Sequence, residues 1–337
     1  MDLSETVMYK VEMSLTGRLT QLPDSQKIFG ALIYLYVEQY SSERATLLVS
    51  KIRDGKLFFS LSNMLPLDYY PTPQTYLIDQ LGKQHLNQTD RGRNKRRYQA
   101  IKKRSFMKWE EINKIISNPK IATNLYPFVT IQSSQQIHAA IDSIRYDMPG
   151  LDPNVYSVPE VNVVEETAEG KFENITKFSF YICADKCPES VELLEALRQA
   201  KERKRLFFLG ARASQGFNTF VVEQIKHELI DLQEQASAYL NLGMLLPQVI
   251  DFKCSSLKLF TSERRPYDFV GGWEKEKLRK FISFIDAGSI VFLPEGSKKA
   301  GRSLQSPFND RDIVFGNSFL LPLDFDRRKQ HAGVSTS

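Results

Sequence analysis

The chain has 337 residues, of which 42% are hydrophobic and 25% are charged, and its formal net charge is +5. This composition is typical of a folded protein with one large or two medium domains. The sequence contains no apolar stretch long enough to cross a bilayer, no basic region before an apolar run at its N-terminus, and too few cysteines for a disulfide scaffold, so we expect a cytoplasmic protein with no membrane partner.

The N-terminal part of the sequence predicts a β-α-β unit. Apolar residues alternate with polar ones over 9–15, which is the period of a half-buried strand. Asp24 or Ser25 can cap a helix over about 25–40, whose apolar residues have helical spacing. A second alternating strand is predicted at 57–61.

The middle of the chain has the features of an insertion with local structure. Residues 64–76 are rich in proline and tyrosine and are unsuited to a central strand. A basic segment follows at 91–108, then a short helix is predicted at 109–117 and a strand at 155–164.

A second β-α-β unit follows the insertion. The sequence predicts a strand from 176, a helix from Pro188 to about 204, and a strand at 217–222. Two such units form the ferredoxin-like β-α-β-β-α-β arrangement, so we predict an α+β domain over 1–224.

The C-terminal part predicts a second, shorter α+β domain. We expect helices at 226–240 and 274–284, and strands near 252–260 and 289–293. The predicted division of the chain is therefore 1–224, 225–330 and a tail at 331–337.

The positive charge of the chain is concentrated in one segment. Residues 91–108 contain nine basic residues and no acidic one. A patch of this density favours contact with a polyanion, most often a nucleic acid. The alternative is a solvated, partly disordered basic loop.

Residues 210–218, here called the glycine loop, form the best candidate site. Glycines near both ends allow tight turning and close approach to a ligand, and backbone amides with Arg212 and Ser214 can surround a phosphate. Asn218 tolerates a left-handed conformation. Phe217 can either stack on a base or pack under the loop. An ordinary turn between helix and strand is the alternative interpretation.

Other patterns are weaker. At helical spacing, Asp142 would orient His138 as a general base for RNA cleavage, although a structural histidine is the more common case. The segment from Arg264 and Arg265 to Trp273 is either a stacking surface or an ordinary turn. The histidines and cysteines show no zinc spacing, so we predict no metal and no cofactor.

Taken together, these features resemble the RAMP superfamily, and within it the subunit that caps the guide-RNA 5′ handle in type III-A CRISPR (Csm) effector complexes. No single motif carries the resemblance, but the order of several does. The matching segments are 24–32, 65–76, 96–104, 138–142, 155–156, 210–220, 271–273, 284–289 and 316–319.

The resemblance implies two ferredoxin-like (RRM-like) domains, the first with a large basic insertion at about 64–120 and a thumb hairpin at about 138–160. Such a subunit is not a nuclease. It holds the handle of the guide RNA, contacts target RNA, and docks on a large polymerase-like signalling subunit and a backbone RAMP subunit. The thumb splays a base pair at the edge of the guide–target duplex.

The residues that we assign to these roles fall into three sets. The RNA-binding set is Ser25, Lys27, Gly210, Arg212, Ser214, Gln215, Gly216, Phe217, Asn218, Arg264, Arg265, Trp273, Gly288 and Ser289. The thumb set is His138, Asp142, Arg145, Met148 and Tyr156. The basic patch comprises Arg91, Arg93, Lys95, Arg96, Arg97, Lys102, Lys103 and Arg104.

Two other functions remain open from the sequence. One is a metal-independent repeat-processing endoribonuclease of the same superfamily, with His138 as general base. The other is an unrelated interaction protein whose basic segment binds an acidic partner.

Overall fold

The computed structural model describes residues 6–84, 91–140, 154–228, 236–264, 280–294, 299–307 and 313–324. The helices among them are α1 (Ser25–Gln39), α2 (Ser42–Arg53), α3 (Gln74–Gln84), α4 (Arg91–Lys103), α5 (Trp109–Ser117) and α6 (Pro188–Glu202). The basic segment is therefore mainly a helix, α4, and not a loop.

The strands of the described residues belong to five sheets. Those of the N-terminal part are β1 (Thr6–Leu15), β2 (Phe59–Leu61), β3 (Leu65–Pro66), β4 (Tyr70–Pro71), β5 (Phe106–Met107), β6 (Phe128–Ala140), β7 (Asn154–Glu166), β8 (Phe172–Asn174), β9 (Lys177–Asp185), β10 (Leu206–Phe208) and β11 (Thr219–His227). Those of the C-terminal part are β12 (Ala238–Asn241), β13 (Leu259–Arg264), β14 (Lys280–Ile285), β15 (Ile290–Phe292), β16 (Leu304–Gln305), β17 (Ile313–Val314) and β18 (Leu320–Leu323).

The largest sheet joins the two predicted β-α-β units. Its order is β10-β11-β1-β9-β2, with β3 also paired to β9. The central strands β1 and β9 are antiparallel, and each is followed by a helix, α1 or α6. Val11 and Phe180 are paired between these strands and fully buried. The predicted α+β class is thus confirmed, and this sheet has the predicted split β-α-β connectivity.

Local sequence explains how α1 begins and which face it buries. Asp24 caps the helix, since its Oδ1 accepts a hydrogen bond from the Lys27 amide at 2.9 Å. Ile28, Leu32 and Leu35 lie on one face and are buried. The predicted helix over about 25–40 is confirmed.

The insertion between β2 and β9 forms a second sheet, ordered β4-β5-β6-β7-β8. Its main feature is the β6–β7 hairpin, in which thirteen residue pairs run from Phe128 and Glu166 to Ala140 and Asn154. The predicted strand at 155–164 lies within β7.

The C-terminal part contains strands where the sequence predicted helices. β11 continues to His227 and β12 begins at Ala238, so the helix expected at 226–240 is wrong at both ends, and 229–235 lie outside the described residues. Residues 280–284 form β14, paired with β13, which contradicts a helix there. The strand expected near 252–260 begins only at Leu259, whereas the strand at 289–293 is confirmed.

A second ferredoxin-like domain does not emerge from the described C-terminal residues. They form a three-stranded sheet, β15-β12-β18, and the two-stranded ribbons β13–β14 and β16–β17, and no helix lies among them. This sheet shares the core of the N-terminal part: Phe315 stacks on Phe29 at 4.4 Å, and the Phe319 amide donates to the Leu61 carbonyl at 2.9 Å.

Two of the cysteine thiols, those of Cys183 and Cys254, should differ in reactivity. Cys254 is exposed and Cys183 is buried, and burial raises the pKa of the Cys183 thiol to about 12. Because the thiolate is the reactive form, we expect Cys183 to react with Ellman's reagent at pH 8 at least ~100-fold more slowly than Cys254. Denaturant should abolish the difference. Equal rates in the native protein would contradict the described core.

Candidate nucleic-acid interface

The glycine loop has a fixed backbone. Arg212, Gly216 and Asn218 adopt left-handed conformations with φ of 63°, 77° and 54°. Between them a 3-10 turn spans Ala213–Gln215, and the Gly216 amide donates to the Ala213 carbonyl at 2.9 Å. The turn leaves Ser214, Gln215 and Gly216 exposed at its tip.

Asn218 holds this loop against the segment that follows β1. Its Nδ2 donates to Thr20 Oγ1 at 2.8 Å and to the Ala211 carbonyl at 2.9 Å, while its Oδ1 accepts from the Thr20 amide at 3.0 Å. Its backbone amide donates to the Arg18 carbonyl at 2.7 Å. The side chain is fully buried, so Asn218 supports the loop and does not face solvent.

Residues 16–20 are a part of the site that the sequence analysis missed. A Cβ added to Gly17 would lie 1.9 Å from the Gly216 carbonyl oxygen, so only glycine permits this contact. On its other side, the Leu19 carbonyl accepts from the Val161 amide of the hairpin at 2.8 Å. The glycine loop, residues 16–20 and the β6–β7 hairpin therefore form one continuous surface.

This surface presents two arginines. Arg18 forms a backbone bridge with Phe217, and its side chain is 60% exposed, with Nη1 3.9 Å from Glu160 Oε2. Arg212 is half-buried, and its Nη1 donates to Gln215 Oε1 at 3.2 Å. Both guanidinium groups suit phosphate oxygens, because they present several donors in a planar arrangement.

Several predicted contact residues point into the protein. Phe217 is buried and packs under the loop. Ser25 is buried and its Oγ accepts from the Met244 amide at 3.2 Å. Ser289 is buried, with Oγ donating to the Asp286 carbonyl at 2.8 Å and accepting from the Lys258 amide at 2.9 Å. These side chains make packing contacts and hydrogen bonds within the protein, and their assignment as RNA contacts stays a prediction.

Two other predicted residues have structural partners. Lys27 Nζ lies 2.8 Å from Asp24 Oδ2 at the start of α1. Gly288 has φ 84°, and a Cβ there would lie 2.8 Å from the Thr72 carbonyl oxygen. Gly288 is thus required for close packing of the C-terminal part against the insertion.

Over the central strands β1 and β9, the sheet face opposite the helices is not open to bases. Lys10 and Tyr181 are paired on the central strands, but both are buried. Lys10 Nζ donates to Asp68 Oδ1 at 2.7 Å, and the Tyr181 and Tyr70 hydroxyl oxygens lie 2.8 Å apart. The segment after β3 therefore covers this face.

Helix α4 carries the exposed part of the basic patch. Lys95, Arg96, Lys102 and Lys103 are exposed, and Lys102 Nζ lies 4.6 Å from the centre of the Tyr98 ring. Arg97 is half-buried, and Arg91 and Arg93 lie on the first turn of the helix. This arrangement presents cations and an aromatic ring together.

Arg104 was assigned to the basic patch but is buried. Its Nη1 donates to the Ala100 carbonyl at 2.9 Å and its Nη2 to the Thr123 carbonyl at 2.6 Å. The guanidinium carbon lies 4.2 Å from the Phe128 ring centre, and burial lowers the pKa of the group. Arg104 thus joins the end of α4 to the base of the hairpin.

Substitution of Arg104 should therefore reduce stability. We expect Arg104→Ala to lower the free energy of unfolding by about 2–4 kcal/mol, because two carbonyl oxygens lose charged donors and the Phe128 contact is lost. Urea denaturation measures this change. Arg96→Ala, on the exposed face of the same helix, should stay within about 0.5 kcal/mol. Equal effects would contradict the buried role of Arg104.

His138, which we predicted to pair with Asp142 at helical spacing, lies on a strand and not on a helix. His138 lies on β6, directly opposite Tyr156 on β7. The helical spacing on which the predicted pair depends therefore does not apply at His138. Arg264 ends β13, and Arg265, Trp273, Asp142, Arg145 and Met148 lie outside the described residues.

Over the described part of the chain, no group of three or more histidine, cysteine, aspartate or glutamate side chains could hold a metal ion. No helix in those same ranges is long and apolar enough to cross a membrane.

Comparison with solved structures identifies chains that are similar to this one. A chain of the crystal structure of the Csm1–Csm4 cassette in complex with pppApA has a TM-score of 0.52 and 15% identity, with 96% of this chain and 100% of that chain covered. The cassette in complex with cA4 gives 0.50 and 15%, with the same coverage. A chain of the Csm3–Csm4 subcomplex of the type III-A CRISPR-Cas interference complex gives 0.46 and 16%, covering 94% and 99%.

No protein-family model matches the chain, and no curated protein sequence matches it significantly. The similarities of this chain are to solved structures. They confirm, at the level of the fold, the resemblance that the sequence indicates: this chain has the fold of Csm4 from Csm1–Csm4 cassettes.

Proposed function

We propose that the chain is a non-catalytic RNA-binding subunit of a type III-A CRISPR effector complex. In this role it holds the 5′ repeat-derived handle of the guide RNA and docks on the large signalling subunit and a backbone RAMP subunit. The sequence resemblance and the shared fold support the proposal. The main observation behind it is the continuous surface formed by the glycine loop, residues 16–20 and the hairpin, whose backbone is fixed by hydrogen bonds and by the close contact at Gly17.

The glycine loop is the proposed binding site for the handle. Ser214 and Gln215 are exposed beside Arg212 and Arg18, so hydroxyl, amide and guanidinium donors face solvent together. Phosphate oxygens accept from all three kinds of donor. Because Asn218 and Gly17 fix the backbone, these donors are pre-positioned, and binding a phosphate requires little ordering of the loop.

The hairpin and α4 are the proposed contacts to the rest of the RNA. With thirteen pairs at ~3.3 Å per residue, the hairpin is about 40 Å long. It is the candidate for the thumb, and two residues of the thumb set, His138 and Tyr156, lie on its strands. Helix α4, with Lys95, Arg96, Lys102 and Tyr98 exposed, is suited to phosphates and to an unpaired base.

A fluorescence anisotropy titration tests the proposal. The protein is titrated against two labelled RNAs of equal length at fixed salt without divalent ions, one with an intact repeat handle and one with a scrambled handle. We expect tighter binding of the intact handle, with the RNA uncut. Equal affinity for both would leave only non-specific polyanion binding, and cleavage would favour the endoribonuclease alternative.

A helix-surface variant separates the proposal from simple polyanion binding. Deleting 91–108 is unsuitable because Ile101, Phe106 and Met107 are buried. The triple change Lys95→Gln, Arg96→Gln and Lys102→Gln removes only exposed charges. If the chain were a general polyanion binder, this variant would abolish binding of both RNAs. We expect it to weaken both and to preserve the preference for the intact handle.

A further inference from the structure

Among the described residues, the outer edge of the largest sheet is a strand edge whose outward backbone groups have no hydrogen-bond partner. β10 pairs with β11 through Leu206–Val221, Phe207–Phe220 and Phe208–Thr219, and it ends the sheet on that side. In antiparallel strands, opposite residues alternate between hydrogen-bonded and non-hydrogen-bonded pairs. The Leu209 amide donates to the Asn218 carbonyl at 2.9 Å, so residues 209 and 218 form a hydrogen-bonded pair. Two residues along, Phe207 and Phe220 are the next hydrogen-bonded pair, and the backbone groups of Phe207 point toward β11. The amides and carbonyls of Leu206 and Phe208 therefore point outward.

The side chains at this edge are apolar on both faces. Phe207 and Leu209 face the helices and are buried, as the core requires. Leu206 and Phe208 lie on the opposite face, and they are 46% and 55% exposed. An edge strand that exposes two large apolar residues beside unpaired amides is a template for another strand.

The charge around the edge indicates what kind of strand fits. Four of the five residues at 201–205, immediately before β10, are basic. Arg205 is paired with Glu38, whereas Lys201, Arg203 and Lys204 are exposed. A segment lying along β10 would contact the apolar side chains of Leu206 and Phe208 at one end and the exposed basic residues before β10 at the other.

We propose that the outer edge of β10 binds an extended segment of a partner protein, with apolar residues over Leu206 and Phe208 and an acidic residue beside Arg203 and Lys204. Backbone bonds to the outward groups of Leu206 and Phe208 supply affinity, and the side chains supply specificity. This inference rests on the proposed function only in that the chain works inside a multisubunit assembly.

Residue-resolved hydrogen–deuterium exchange tests the inference on the unmodified protein. The free chain is compared with the assembly reconstituted from guide RNA and partner subunits. We expect the Leu206 and Phe208 amides to exchange rapidly in the free chain and at least ~100-fold more slowly in the assembly. The Phe207 amide, bonded to β11, should be protected in both states and serves as the internal control.

Two results of the exchange experiment would overturn the inference. Rapid exchange at Leu206 and Phe208 within the assembly would show that no strand is added there, while the handle titration would still support the proposed function. Protection in the free chain would show that a segment of this chain, or a second copy, already covers the edge. If the chain did not enter the assembly, both proposals would be wrong.

Charge variants test the partner's chemistry. We expect Leu206→Glu with Phe208→Glu, and separately Arg203→Glu with Lys204→Glu, to weaken incorporation about tenfold while leaving handle affinity unchanged. Leu47→Glu, on the exposed face of α2, is the matched control and should incorporate normally. Loss of RNA affinity in the edge variants would show that the edge contacts RNA instead of protein and would overturn the inference, as would normal incorporation of both.

Discussion

The variant Asn218→Ala is expected to lose about 2–3 kcal/mol of unfolding free energy and most of its preference for handle RNA. The substitution leaves the Thr20 amide, the Thr20 hydroxyl and the Ala211 carbonyl without their partner, and unsatisfied groups of this kind cost ~1–3 kcal/mol. Alanine also tolerates the φ of 54° less well than asparagine. Urea denaturation and the handle titration measure the two effects.

Two further variants test whether the effect comes from the hydrogen bonds of the Asn218 side chain. Gln215→Ala, at the exposed tip of the same loop, should leave stability within about 0.5 kcal/mol. Asn218→Asp retains the acceptor for the Thr20 amide but loses the two donor bonds, and we expect an intermediate loss of stability. If Asn218→Ala were as stable and as selective as wild type, the loop would not be fixed in the way described.

The second large effect is expected from charge reversal at the two arginines of the surface. Arg18→Glu combined with Arg212→Glu should reduce handle affinity by at least ~10-fold. Each phosphate neutralised on a single strand contributes about −0.7 to the slope of log K against log salt concentration. If each arginine neutralises one phosphate, the slope should become less steep by about 1.4. Titrations between 50 and 300 mM salt measure it.

The control for this double variant must change net charge equally. Lys56 lies in the turn after α2, and Lys253 lies in the exposed loop between β12 and β13. Lys56→Glu combined with Lys253→Glu should leave the slope nearly unchanged, because neither residue belongs to the proposed surface. Equal changes in the two double variants would mean that only net charge matters, which would contradict phosphate contacts at Arg18 and Arg212.

The N-terminal fold was predictable because its signals are local. Alternation marked β1, and helical spacing with the Asp24 cap marked α1. The helices predicted in the C-terminal part were wrong because strand pairing overrides local propensity. In β14, Phe281 and Ser283 lie on one face and are exposed while Phe284 is buried, so pairing with β13 sets the structure of a sequence compatible with either element.

The site was predictable only in part. Paired glycines revealed the glycine loop, because glycine is informative wherever the backbone turns tightly. The role of Gly17 depends on contact with Gly216, about two hundred residues away, and no local pattern reports such a contact. Ser25 and Ser289 were assigned by resemblance, which locates a segment but not the direction of its side chains.

Photocrosslinking determines which residues of this chain contact the handle of the guide RNA. A guide RNA with 4-thiouridine in its handle is incorporated into the reconstituted assembly, irradiated, and its crosslinks to this chain are mapped by mass spectrometry. We expect crosslinked peptides that contain residues 16–20 or the glycine loop. Crosslinks confined to α4, or found only on other subunits, would contradict this expectation.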